Sequence, residues 1–154
     1  KNRQTVLNQP ELAKWLQQAG RERSLTYAEV DFAWSLKQQV TLLSSTGLLV
    51  ASAGSSHFIG LFLSAGACLL VLPMCVAGVE SGTIKCYSEE LLQCCGISWA
   101  EYPVQYEDTV FTIGRGFDYF VHQDVLDKSI RHLMDSAQTL VWPRHAGLTD
   151  FGSA

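Results

Sequence analysis

The sequence predicts an α/β protein with a mostly parallel, Rossmann-like sheet covered by helices on both faces. Two uncharged segments, Leu48–Val50 and Leu69–Leu72, are continuous apolar runs, as expected for parallel strands that are buried on both faces. A turn of small residues, Ser52–His57, follows the first run and leads into a helical pattern. Strand-like and helix-like segments then alternate with connections of about two to six residues, which is typical of an open α/β sheet.

Length and composition predict one folded domain. The chain has 154 residues, of which 47% are hydrophobic and 17% charged, so it can bury a sizeable core. No linker rich in Gly, Pro or Ser divides it. We assign residues 1–141 to one domain and residues 142–154, around a break at Pro143, to a C-terminal tail.

The N-terminal third predicts two helices and a strand. Asn8 occupies a cap position before an amphipathic helix that we expect to end at Gly20. Leu25–Val30 is a candidate strand. A second helix is predicted over Phe32–Ser44, because its apolar residues recur at helical spacing and Asp31 can cap it.

A βαβ unit is predicted next. It comprises a strand at Leu48–Ala51, a helix at Phe58–Leu63, a break at 64–66 and a strand at Cys68–Leu72. Turns that lead from such a strand into a helix bind phosphate in doubly wound proteins, because free backbone N–H groups converge there. The sequence therefore predicts an anion-binding turn around Gly54.

The C-terminal half continues the alternation. Its predicted segments, in chain order, are a Gly-rich loop at Ala77–Lys85, a helix at Glu89–Cys95 capped by Ser88, a strand at Ile97–Val104, a loop or hairpin at Tyr106–Gly116, an extended segment at Phe117–Val121, and a helix at Val125–Leu140 that begins at Gln123 or Asp124.

Charge and hydropathy argue against nucleic-acid binding and against a membrane span. The net charge is −4 and the eleven basic residues are scattered, whereas phosphate backbones are bound by clustered Lys and Arg. The uncharged segment Phe58–Cys75 approaches the length of a membrane helix. Gly60, Ser64, Gly66 and Pro73 divide it into a helix-length piece and a strand-length piece, so we predict no membrane span here.

The cysteines leave the redox compartment open. Cys68 lies in an apolar run and is expected to be a buried free thiol. Cys75, Cys86, Cys94 and Cys95 can form one or two disulfides in an oxidising compartment. They show neither a C-x-x-C pair nor a matching His spacing, so a zinc site is not indicated.

Several catalytic motifs are missing from the sequence. It contains no G-x-S-x-G, G-x-x-x-x-G-K-[ST], H-E-x-x-H or G-x-G-x-x-G, which removes the usual support for hydrolases, nucleoside triphosphatases, zinc proteases and dinucleotide enzymes. The carboxylates form no D-x-D, so a metal-held diphosphate is not indicated either. We expect no metal and no cofactor.

An ordered set of short motifs resembles the C-terminal, donor-binding half of family-61 glycosyltransferases, which include plant β-1,2-xylosyltransferases and an EGF-domain-specific O-GlcNAc transferase. The likeness covers residues 3–134. The matching residues, in chain order, are Arg3, Val6-Leu7-Asn8, Glu11-Leu12, Gln39-Val40, Leu61-Phe62-Leu63, Gly66, Tyr87, Leu91, Gly96 and Tyr102-Pro103-Val104.

The resemblance implies the C-terminal lobe of a GT-B enzyme that inverts the anomeric centre without a metal. A hydroxyl of a glycan or glycoprotein acceptor would attack C1 of a nucleotide sugar, expected to be a UDP-sugar, while backbone amides and basic side chains stabilise the leaving diphosphate. It also implies a facing N-terminal lobe and a first strand that lie outside these residues. That lobe would supply the general base, so we assign no catalytic residue. Eukaryotic relatives work in the endoplasmic reticulum or Golgi lumen, and bacterial ones in the cytoplasm.

The resemblance also suggests the donor-binding residues. Gly54, Ser55 and Ser56 fall on the family's H-G-A-G turn and would hold the diphosphate, with Arg3 as a bidentate partner for its oxygens. Ala53 stands where the family has His, so the role of that imidazole is not carried over.

Three further residues have weaker assignments. Asn8 is a helix cap, a ligand contact, or both. His57 either replaces the missing imidazole or simply begins the helix. Glu80 lies in the loop after the second strand of the βαβ unit, where it would contact sugar or ribose hydroxyls.

Three other interpretations remain open. The turn can be an ordinary strand-to-helix connection capped by Ser55 or Ser56. The chain can be a degenerate, non-catalytic relative that acts as an interaction module. It can also be an unrelated flavodoxin-like or response-regulator-like domain, although the acidic cluster expected there is missing at Leu48–Ser52.

Overall fold

The computed structural model describes residues 6–30, 33–54, 57–78, 80, 82–87, 96–112 and 116–139. Their α-helices are α1 (Gln9–Glu22), α2 (Leu36–Leu43) and α3 (Gln123–Thr139). Their strands are β1 (Leu48–Ser52), β2 (Cys68–Leu72), β3 (Met74–Ala77), β4 (Ile84–Tyr87), β5 (Ser98–Glu101), β6 (Thr109–Thr112) and β7 (Gly116–Tyr119). Two short 3-10 helices cover His57–Phe62 and Tyr106–Asp108.

Three strands form a parallel sheet in the order β1-β2-β5. Leu48 of β1 lies beside Cys68 of β2, which lies beside Ser98 of β5. All five residues of the central strand β2 are buried, as its apolar sequence predicts. The predicted parallel pair around the turn at Gly54 is therefore confirmed.

The two faces of this sheet pack into separate apolar clusters, because successive side chains of a strand point to opposite faces. Cys68 and Leu70 of β2 belong to the cluster that contains residues of α1 and α3. Leu69 and Val71 belong to the cluster that contains Leu43 of α2. The polypeptide thus buries the central strand from both sides.

A second, antiparallel sheet has the order β4-β3-β7-β6. The chain passes from β2 directly into β3 through Pro73, which has no N–H to donate to a strand ladder. Cys75 of β3 lies opposite Cys86 of β4, and the two form a disulfide. This confirms that a pair among the four cysteines forms a bridge.

The predicted fold class is wrong, because a single mostly parallel sheet is not present. Four of the seven described strands lie in the antiparallel sheet, and only three are parallel. The main error concerns Ala77–Lys85, which was predicted to be a Gly-rich loop: it contains the turn of the β3–β4 hairpin and the first residues of β4. The same finding contradicts the Rossmann-like lobe of a GT-B arrangement that the resemblance implies, and it applies equally to a flavodoxin-like domain, because both are built on one parallel sheet.

The second predicted helix begins later than expected. α2 starts at Leu36, and Ser35 is its cap. The Gln38 N–H donates to Ser35 Oγ at 3.4 Å, and the Ser35 N–H donates to Gln38 Oε1 at 3.0 Å, which makes a capping box. The predicted cap Asp31 lies outside the described residues. Leu25–Val30 was predicted as a strand, but it forms none.

The first and last helices and a C-terminal hairpin are confirmed. α1 continues two residues past Gly20, whose carbonyl accepts from the Leu25 N–H at 2.8 Å. A Cβ at Gly20 would lie 3.2 Å from the Leu25 oxygen, so close approach favours glycine there. α3 buries Leu126, Ile130 and Leu133, whose spacing in the sequence is helical. The segment predicted as a loop or hairpin contains β6 and leads into β7, with which β6 pairs.

The predicted helix at 89–95, its cap Ser88 and the tail at 142–154 lie outside the described residues.

The uncharged segment Phe58–Cys75 is divided into two pieces, as predicted. Residues 58–62 are in the first 3-10 helix, and 68–72 form β2. Within the described part of the chain, we find no helix with the length and apolar character needed to cross a bilayer.

Candidate functional site

The turn after β1 lies at the carboxyl edge of the parallel sheet. The Ala53 N–H donates to the Leu72 carbonyl oxygen at 2.8 Å, which closes the end of the β1–β2 pairing. Gly54 follows with a φ of +98°, a conformation that favours glycine. No atom lies within 4 Å of the position that a Cβ on Gly54 would take, so the space in front of this backbone is open.

The structure describes the rest of the predicted turn only in part. Ser55, Ser56 and Arg3 lie outside the described residues, as does the side chain of His57. The His57 backbone begins a 3-10 helix of six residues, where an α-helix was expected. Because so short a helix has a small dipole, anion binding here depends on the N–H groups of the turn itself.

Ala53 contacts the apolar cluster on one face of the sheet. It is partly buried and packs against the cluster that contains Leu49 and Ala51, which precede it on the same face of the strand. A side chain at this position therefore starts toward the packed interior. The imidazole that the resemblance predicts here would have to extend past that cluster to reach a ligand.

Glu80 does not lie at the carboxyl edge where it was expected. The chain does not turn after β2 but runs on through β3, so Glu80 comes at the tip of the β3–β4 hairpin, about 13 Å of strand beyond Pro73. Its carbonyl oxygen accepts from the Thr83 N–H at 3.2 Å and from Thr83 Oγ1 at 2.6 Å, and its side chain is exposed. The structure does not bring it to Gly54.

Asn8 is the residue that precedes α1, but its side chain does not cap the helix. Its amide instead bonds to the backbone of Val121, with Nδ2 donating at 2.7 Å and Oδ1 accepting at 3.0 Å. The amide of Asn8 is thus used both as a hydrogen-bond donor and as an acceptor within the protein. The structure therefore favours a structural role for Asn8 over ligand contact.

A polar group that the sequence analysis did not identify lies at the carboxyl end of β5. Tyr102 directly follows this strand, and its N–H donates to the Val71 carbonyl oxygen at 2.8 Å. Tyr102 Oη accepts from the His122 N–H at 2.9 Å, and His122 Nε2 lies 2.9 Å from Asp108 Oδ1. The tyrosine, the histidine and the carboxylate thus form one connected group.

The β6–β7 hairpin explains how distant residues meet in this group. Asp108 immediately precedes β6, and His122 comes three residues after β7. Thr109 pairs with Tyr119, and the Phe120 N–H donates to the Asp108 carbonyl oxygen at 2.9 Å. A known hairpin register would have predicted the contact, because antiparallel pairing brings the two ends of a hairpin together.

Tyr102 and Tyr119 are held as neutral phenols. Burial raises the pKa of Tyr102; the bond from the His122 N–H opposes that shift, and the nearby carboxylates of Asp108 and Asp124 add to it. Burial also raises the pKa of Tyr119, whose hydroxyl donates to the Pro73 carbonyl oxygen at 3.0 Å. The Tyr102 and Tyr119 rings are stacked, with centroids 6.4 Å apart.

A shallow, open depression of about 250 Å³ is lined by residues 44–47 and 64–67, which immediately precede β1 and β2 at the opposite edge of the sheet. Among the residues that the structure describes, no three His, Cys, Asp or Glu side chains are grouped to hold a metal ion. Cys68 is a buried free thiol, as predicted, and burial raises its pKa.

Comparison with known proteins adds no relative: neither the protein-family models nor the curated proteins that were searched match this chain.

Proposed function

We propose that this chain is the nucleotide-sugar-binding lobe of an inverting, metal-independent glycosyltransferase related to family 61. The diphosphate of the donor, a UDP-sugar, binds at the turn that contains Gly54. The observation that carries this proposal is the corner after β1. A parallel strand pair ends there in a glycine with a φ of +98° and open space in front of it.

The chemistry of the turn suits a leaving diphosphate. Backbone N–H groups that are fixed by the fold stabilise developing negative charge without a reorganisation cost. Ser55 and Ser56 add hydroxyl donors in this proposal, and Arg3 adds a bidentate cation, as the resemblance implies. We leave Asn8 and Glu80 out of the site, because the first is bonded to Val121 and the second lies at a hairpin tip.

The reaction transfers the sugar to a hydroxyl of a glycan or glycoprotein, with a facing lobe completing the site. The Cys75–Cys86 disulfide favours an oxidising compartment, such as the endoplasmic reticulum or Golgi lumen of a eukaryote. The cytoplasm of a bacterium is the alternative that the resemblance allows.

Calorimetry with UDP, UDP-xylose and UDP-N-acetylglucosamine tests the donor site. We expect the wild type to bind at nucleotide concentrations up to the millimolar range and Gly54→Ala to lose that binding. Gly66→Ala is the matched control, because Gly66 also has a positive φ and open space at its Cβ position but precedes β2 at the opposite edge. No heat with a folded wild type, or equal losses in both variants, would count against the proposal.

A second candidate function, a non-catalytic interaction module, is favoured by the edge strand β6, which among the described residues pairs with a strand on one side only. β6 is an edge strand without charged residues, and Phe111 on it is 60% exposed. Phe111 and the exposed Tyr106 both contact the ring of Phe117. The opposite edge strand, β4, carries the exposed Lys85. If the wild type binds no nucleotide but Ala53→His does, the degenerate relative becomes the better interpretation.

A further inference from the structure

The edge strand β6 has one side that no described strand covers. Among the described residues it pairs with β7 alone. In an antiparallel pair, residues that bond to the neighbouring strand alternate with residues whose N–H and C=O point away from it. The Phe120 N–H donates to the Asp108 carbonyl oxygen at 2.9 Å, so the bonds to β7 fall at Asp108 and Val110. Thr109 and Phe111 therefore direct their backbone groups outward.

Phe111 is the outward residue that can both donate and accept. The Thr109 N–H already donates to the Tyr106 carbonyl oxygen. Within the part of the chain that the structure describes, we find no partner for the outward N–H and C=O of Phe111. Two antiparallel copies of such a residue exchange two N–H···O=C bonds, one in each direction. The backbone of β6 is therefore complementary to a second copy of itself, with a two-fold axis at Phe111.

The side chains of β6 fit the same pairing. Val110 and Phe111 lie on opposite faces of the sheet and are 48% and 60% exposed, so both faces carry apolar surface at this edge. In the two-fold pairing, Phe111 lies beside its own copy, and Val110 lies opposite residue 112 of the second copy. Aromatic cross-strand pairs stabilise paired strands. The Phe111 ring also contacts the Phe117 ring of its own chain edge-on, with centroids 5.4 Å apart.

The charges near the two sheet edges favour an antiparallel pairing through β6. Its four residues carry no charge, and Glu107 and Asp108 directly precede them. In the two-fold pairing the two copies of Glu107 lie on opposite sides of the axis, about 20 Å apart, which exceeds the screening length of about 8 Å in physiological salt. A parallel pairing would bring them to within about 5 Å of each other. At the other edge, the exposed Lys85 lies within β4, where two copies would repel each other.

We propose that β6 is a self-association surface, through which two copies of this chain pair antiparallel across a two-fold axis at Phe111. The pairing joins two four-stranded sheets into one continuous sheet. Stable interfaces bury about 1,200–2,000 Å² in total, and an edge of four residues falls below that, so the dimer is weak, with a Kd of roughly 10 µM to 1 mM. Lys85 at the far edge stops the sheet from growing further. The inference is independent of donor binding, and it names the partner of the interaction module considered above.

Sedimentation equilibrium of the full chain in 0.15 M salt, from about 10 µM to 1 mM, tests the proposal. We expect the wild type to change from monomer to dimer over this range. Phe111→Lys should stay monomeric throughout, because it places two ammonium groups on residues whose Cα atoms are about 5.5 Å apart. Thr41→Lys, at an exposed site on α2, adds the same charge away from β6 and should dimerise like the wild type.

A mixture of Phe111→Lys and Phe111→Glu tests the register. Each variant alone should be monomeric, whereas the mixture should form a heterodimer, because residue 111 faces residue 111 only when the two-fold axis passes through it. Amide hydrogen exchange of the wild type gives a second measurement that needs no substitution. The Phe111 N–H points outward in the monomer, so its exchange should slow as the protein concentration rises.

Three results would overturn the proposal. The first is a wild type that stays monomeric up to 1 mM with a Phe111 amide whose exchange does not depend on concentration, whether fast because the edge is uncovered or slow because another segment of the same chain covers it. The second is association of Phe111→Lys as strong as that of the wild type. The third is a mixture of the Lys and Glu variants that remains monomeric although both are folded.

Discussion

The side-chain amide of Asn8 bonds twice to the backbone of Val121, 113 positions later in the chain. Val6 forms a parallel bridge with Tyr119 just before this contact, and the Leu7 N–H donates to the Tyr119 carbonyl oxygen at 2.9 Å. The Asn8 side chain therefore adds two hydrogen bonds to the end of this short parallel pairing, at the point where α1 begins. This pairing joins the start of α1 to the segment that leads into α3.

Asn8→Ala should lower the free energy of unfolding by about 1–3 kcal/mol, because it leaves the partly buried N–H and C=O of Val121 without their partners. Urea denaturation measures the change. Gln17→Ala, on the exposed face of α1, should stay within about 0.5 kcal/mol of the wild type. An Asn8→Ala protein as stable as the wild type would show that the two bonds contribute nothing net.

The Cys75–Cys86 disulfide should contribute about 3 kcal/mol to stability, because it closes a loop with a sequence separation of 11 and so restricts the unfolded chain. We expect Cys86→Ser to unfold at a correspondingly lower urea concentration. Reductant should lower the stability of the wild type toward that of the variant and leave the variant itself nearly unchanged. Equal sensitivity of both proteins to reductant would contradict this.

The sequence predicted the central part of the fold because each pattern that defines it lies within a single segment of the chain. The apolar run at Cys68–Leu72 predicts a doubly buried strand, and β2 is buried along its whole length. The spacing of Leu126, Ile130 and Leu133 predicts the inner face of α3, where all three are buried. Each of these conclusions depends only on the periodicity of a single segment.

The antiparallel sheet was missed because its strands are defined by their partners. Met74–Ala77 is four residues long, and what makes it a strand is its register with Ile84–Tyr87, which places Cys75 opposite Cys86. The sequence around Gly78 and Gly82 predicts a loop, whereas in the structure both glycines lie in the connection of a hairpin. The pair of Asp108 and His122 was missed for the same reason, since their contact depends on a hairpin register.

Ser35→Ala should lower the free energy of unfolding by about 1 kcal/mol, because the first turn of α2 loses its cap. Gln38→Ala removes the bonds from the Ser35 N–H and the Ser35 hydroxyl to Gln38 Oε1 but keeps the bond from the backbone N–H of residue 38 to Ser35 Oγ, so it should cost less. Urea denaturation of both variants and of the double variant measures the coupling between the two bonds. Fully additive effects would indicate that the capping box does not act as a unit.

At alkaline pH the stability of the protein should depend on the protonation of its buried tyrosines, Tyr119 and Tyr102. Burial raises the pKa of Tyr119 and of Tyr102 above the ordinary value of 10.0. Below about pH 10, both the folded and the unfolded states keep these protons, and the stabilisation is complete. Above it, the unfolded chain loses protons that the folded protein retains. The free energy of unfolding therefore falls as the pH rises, by up to about 1.4 kcal/mol per pH unit for each such group.

Tyr119→Phe isolates the contribution of one of these groups. At neutral pH we expect the variant to be less stable by about 1–3 kcal/mol, because the Pro73 carbonyl oxygen loses its hydrogen-bond donor. Above about pH 10 its stability should decline less steeply than that of the wild type, because one buried phenol no longer titrates. Urea midpoints measured from about pH 7 to pH 11 give both slopes. Parallel slopes would mean that the Tyr119 phenol ionises as readily in the folded protein as in the unfolded chain, contrary to its burial at the junction of the two sheets.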